Sequence, residues 1–87
     1  MNALKGHRGR ITVNVGFLAD IKTMRQIMDG VVVFHVDTNQ MQGTITYWLD
    51  HPELDEIIIG EVVPHYDVTF ERHGDALMRS FTRMPMN

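Results

Sequence analysis

The chain contains no cysteine and only one serine, Ser80. The first absence removes disulfides, thiolate nucleophiles, iron–sulfur clusters and thiolate zinc sites together, and it agrees with a reducing compartment. The second leaves serine-nucleophile chemistry without support, because Arg79-Ser80-Phe81 has no Gly-x-Ser-x-Gly elbow around it. No apolar run approaches the ~20 residues of a membrane span; residues 31–34 and 57–59 are strand-length at most. The start of the chain lacks the continuous apolar segment of a signal peptide, so a cytoplasmic setting is expected. Neither a Gly-x-x-x-x-Gly-Lys nor a Gly-x-Gly-x-x-Gly motif occurs, which excludes phosphate cradles of those two types. No His-x-x-x-His or His-Glu-x-x-His spacing exists, and Asp37-Thr38-Asn39 lacks the Gly and Glu of a calcium loop. No metal or other cofactor is expected on these grounds.

What remains is a chain of 87 residues, enough for one domain and one modest core. Val and Ile together number 16, against five Leu and three Ala, so pleated structure should dominate over helix. Hydrophobic residues make up 44% and charged residues 22%, which is globular rather than disordered. The net charge of −3 disfavours a dedicated nucleic-acid binder. It is unevenly spread: +3 over residues 1–10, −8 over 11–71 and +2 over 72–87.

Residues 10–18 alternate, with Ile11, Val13, Val15 and Phe17 on one face and Thr12, Asn14 and Gly16 on the other. That is the period of a half-buried strand. Asp20 can cap a helix over about 20–29, with Ile21, Met24, Ile27 and Met28 as its apolar stripe and Gly30 beyond its end. Residues 31–37 and 44–50 read as an antiparallel hairpin, because the turn between them is too short for a crossover. Pro52 followed by Glu53, Asp55 and Glu56 has the form of a helix start and predicts a short second helix over about 52–58. From His65 the alternation returns, with Tyr66, Val68 and Phe70 on one face. Residues 77–84 are read as a last strand across a turn at Gly74; 76–84 as a helix is the alternative. The fold class is α+β: two layers, a mainly antiparallel sheet of four to five strands, one main helix and a short second one. A ferredoxin-like split βαβ plan fits this order, as does a five-stranded sheet with one helix across it. Residues 1–9 read as a flexible basic arm, 10–84 as a single domain and 85–87 as a loose tail.

If helices cover the face bearing Val32, Phe34, Val36, Ile45, Tyr47, Leu49, Tyr66, Val68 and Phe70, the other carries Thr12, Asn14, Val33, His35, Thr46, Trp48, His65, Asp67 and Thr69. A polar sheet face holding the only Trp and two His is the most informative feature of the sequence. The favoured reading is a non-enzymatic homo-oligomeric module, a dimer with Trp48 and Val33 at the centre of its interface. The alternative is a small-molecule site, where Trp48 stacks on a flat ligand while His35, Thr46, His65 and Asp67 supply hydrogen bonds. His65 and Asp67, two apart on one strand, are also the candidates for an acid/base pair, in which the carboxylate would raise the imidazole pKa. The balance of features points away from an enzyme. A third reading is a nucleic-acid contact through Lys5, Arg8 and Arg10.

Overall fold

The computed structural model describes residues 4–16 and 20–85. The expectations for residues 1–3, for Phe17 on the apolar face of the first strand, and for Met86 and Asn87 in the tail lie outside the described residues.

The first strand reaches further back than its apolar alternation does. β1 (Lys5–Asn14) takes in Lys5 to Gly9, which the sequence assigned to a flexible arm. The cause is pairing on both sides. Its second half runs antiparallel to β3 (Thr44–Asp50), from Arg8 opposite Asp50 to Asn14 opposite Thr44. Its first three residues pair with β4 (Glu56–Ile58). Ion pairs of Lys5 with Glu56 (3.8 Å) and Arg8 with Asp50 (3.8 Å) set basic side chains of this segment against neighbouring acids.

α1 (Ile21–Met28) follows much as its sequence predicts. The Asp20 carboxylate accepts from the Thr23 N–H (3.1 Å) and the Thr23 hydroxyl (2.8 Å), and Gly30 turns the chain at φ +70°. Ile27 is buried, Met24 and Met28 are half-buried, and Ile21 is exposed. β2 (Val32–Asn39) then pairs antiparallel with β3, giving a four-stranded antiparallel sheet in the order β2-β3-β1-β4. The described residues contain one α-helix. The second helix expected over 52–58 is not formed: His51 to Leu54 make a tight turn, and Glu56 to Ile58 enter the sheet as β4. Pro52 and its acids suit a first helical turn, but Ile57, Ile58 and Ile59 follow at once. β-branched residues beside an open sheet edge favour the strand. A ferredoxin-like layer of two helices is therefore not built.

The last two strands do not join that sheet. β5 (Tyr66–His73) and β6 (Ala76–Arg83) form a separate hairpin across Gly74, at φ +63°, which gives residues 76–83 to a strand rather than a helix. Backbone pairing to the larger sheet is slight: Arg10 forms one parallel bridge with His65, and its N–H donates to the Pro64 carbonyl (2.9 Å). Side chains hold the hairpin in place. The Tyr66 ring lies over Gly9, where a Cβ would come within 2.6 Å of it, and the Tyr66 hydroxyl accepts from the Asp55 N–H (2.9 Å). Arg79 Nη1 donates to the carbonyls of Gln26, Ile27 and Asp29 (3.3, 2.7 and 2.8 Å), capping the end of α1 from the hairpin. The core between these layers consists of Ile11, Ile27, Leu49, Leu54 and Tyr66.

One irregularity reassigns a face. The β2–β3 register shifts between Val33 and His35, so that Val33 stands opposite Leu49 and His35 opposite Trp48. The extra residue reverses the alternation before it. Val33, expected beside Trp48, shares the face of Leu49. Val32, expected on the core face, stands opposite Asp50 on the face of Trp48. Phe34 also departs from the core: the Arg8 guanidinium sits 4.2 Å from its ring centroid.

Candidate functional site

Three strands set the open face in rows. Arg10, Trp48 and His35 stand opposite one another across β1, β3 and β2. Thr12, Thr46 and Asp37 form the next row, and Asn14, Thr44 and Asn39 the third. Opposed residues share a face, and successive rows on it lie roughly 7 Å apart. Apart from His35 and Asn14, these rows line an open groove of about 680 Å³ together with the 38–42 turn and His65.

Within the groove the Thr12 and Thr46 hydroxyls share a hydrogen bond of 2.8 Å. Trp48 and His35 meet edge to face, with ring centroids 4.8 Å apart and planes at 69°. Trp48 is half-buried. Arg10 differs from the arginines around it. Its Nε is cut off from solvent with no hydrogen-bond partner, and among the described residues no carboxylate or carbonyl engages its guanidinium. Arg8 and Arg79 also have a buried, unbonded Nε, but Arg8 has Asp50 and Phe34, and Arg79 has Glu53 and the helix carbonyls.

His65 borders the groove beside Arg10. Burial lowers its imidazole pKa, the Arg10 charge lowers it further, and the carboxylate of Asp67 opposes both. This reverses the direction expected for a His65–Asp67 pair. Asp67 itself lines a different cleft, of about 230 Å³, with Ile11, Ile27 and Phe70. No ion pair or hydrogen bond joins the two, so the acid/base pair read from their spacing is not assembled.

The structure thus brings together Trp48, His35, Thr46 and His65, separates Asp67 from them, and turns Val33 to the other side. It adds Arg10 and Asp37. Arg10 was legible: it stands two residues before Thr12, and strand alternation puts it on the same face, but the sequence reading considered it only as a nucleic-acid contact. Asp37 was legible in the same way, two residues after His35 and beyond the register shift. No three His, Asp or Glu side chains among the described residues are grouped to hold a metal ion. No protein-family model matches the chain, and neither does any curated protein or solved structure.

Proposed function

We propose that the chain is a non-enzymatic binding module that works as a homo-oligomer, a dimer in the simplest case, in a cytoplasmic setting. The observation that carries this reading is β2. It is an outer strand of the sheet, every one of its residues is exposed, and four of them are Val32, Val33, Phe34 and Val36. An outer strand offers unpaired N–H and C=O groups, and isolated folds blunt such an edge with short length, Lys, Pro or a cover. β2 is eight residues long and holds neither Lys nor Pro. β4, on the opposite edge, is only three residues long.

This moves the expected interface from Trp48 to the β2 edge. The test is solution mass by light scattering over a dilution series. The reading expects about twice 10.0 kDa for the natural chain, and the monomer mass for Val36→Lys at the same concentration. A monomer at every concentration would overturn it.

A second reading, favoured by the unpartnered Arg10, is that the open groove receives a small molecule. It is compatible with dimers paired through β2, because the groove lies on a face of the sheet rather than at its edge. Catalysis has less support, since His65 and Asp67 line different cavities. Contact with nucleic acid has less as well, since Lys5 and Arg8 already face Glu56 and Asp50.

A further inference from the structure

We propose that the groove binds a small flat aromatic anion, with its charged group on Arg10 and its ring against Trp48. This inference rests on the small-molecule reading and names the ligand class.

In a chain with 11 acidic and eight basic residues, a half-buried arginine without a carboxylate partner is unusual. Its planar fork of donors matches a carboxylate or a phosphate better than any neutral group. Asp37, the acid in the groove, is one row along and two strands away, roughly 10 Å across the sheet. It leaves Arg10 uncompensated and would repel a second negative group at the far end of a ligand. The preferred ligand is therefore charged at one end only.

The surroundings complete the match. His65, adjacent to Arg10, is held toward its neutral form, so it offers a hydrogen bond without an added charge. Trp48, in register between Arg10 and His35, supplies flat apolar surface beside the cation. The paired hydroxyls of Thr12 and Thr46 form the floor one row further on, in reach of a polar ring substituent. An aliphatic acid would use Arg10 alone, and a neutral aromatic would use Trp48 alone. Only a ligand with both features uses both side chains.

The chain has a single Trp, so its fluorescence reports this site directly. Benzoate, phenyl phosphate and the neutral analogue benzamide are titrated into the natural protein, with thermal unfolding as a second readout. The expected result is quenching and thermal stabilisation by one or both anions, reduced by salt. Binding of benzamide should be about 10- to 100-fold weaker, the value of a charge-assisted hydrogen bond. Which of the two anions binds tighter separates carboxylate from phosphate recognition. Arg10→Met keeps the aliphatic stem and should bring the anions down to the level of benzamide. If benzamide binds as well as the anions, the anion assignment falls while the groove stands as a binding site. If none of the three changes the Trp48 signal or the unfolding temperature, the groove falls with it. The charged–neutral comparison uses the natural chain alone, so it decides the matter even if the Arg10 variant does not fold.

Discussion

At the scale of single residues, two positions have effects their residue type does not advertise. Gly9 falls in the segment read as a flexible basic arm, yet it is buried under Tyr66, where an added Cβ would lie 2.6 Å from the ring and 3.2 Å from Leu54. Gly9→Ala should therefore cost about 1–3 kcal/mol by overpacking, measured by urea unfolding; an unchanged midpoint would show that Tyr66 moves aside freely. His65 contributes through pH. Its imidazole pKa is lower in the folded chain than in the unfolded one, by burial first and by Arg10 second. Unfolding then takes up a proton, so its contribution to stability is intact above the ordinary imidazole range. That contribution is lost as pH falls through this range toward the lowered folded value. The unfolding temperature should drop between about pH 7.5 and about pH 5.5, and drop less in His65→Gln. Equal drops in the two proteins would remove His65 from the account.

At the scale of elements, the sequence was read best where one period governs an uninterrupted segment. The Asp20 cap, α1, the 44–50 strand and the Gly74 hairpin all follow from local pattern, because each stabilising contact lies within the element or its nearest neighbour. The failures are contacts between distant segments. Pro52 and its acids gave no warning of the open edge at Lys5 to His7 that draws Ile57 and Ile58 into β4. The register shift at Val33 to His35 exchanges the faces of Val32 and Val33, and period-two reasoning has no means of detecting one inserted residue. The candidate face divides the same way: Trp48, His35, Thr46 and His65 lie near one another, whereas Val33 turns to the other face and Asp67, on the separate hairpin, lines another cleft. Arg79 is a further long-range case, since a β6 side chain finishes a helix some fifty positions earlier in the chain. With that side chain only 12% exposed, Arg79→Met should cost about 2–3 kcal/mol. Circular dichroism and urea unfolding would check it, and a loss below about 0.5 kcal/mol would mean that water replaces the guanidinium at the helix end.

At the scale of the whole molecule, the core among the described residues is small, built on Ile11, Ile27, Leu49, Leu54 and Tyr66, and the exposed Val and Phe of β2 are its natural complement. Stability should then depend on protein concentration, with the unfolding temperature rising as dimers form and Val36→Lys abolishing the dependence. The way the hairpin is attached carries a separate consequence, in time rather than in space. β5 and β6 are fully laddered to each other but share only one backbone bridge with the four-stranded sheet; the rest of the attachment is Tyr66, the half-buried Val68, Phe70 and Phe81, and a few charged side chains. Amide hydrogens along β1 and β3 should exchange with deuterium only when the whole chain opens. Those of β5 and β6 should exchange together and sooner, as one cooperative unit that lifts away while the larger sheet persists. Because Arg10 and His65 lie on opposite sides of that bridge, each such opening would also take the groove apart at its basic end.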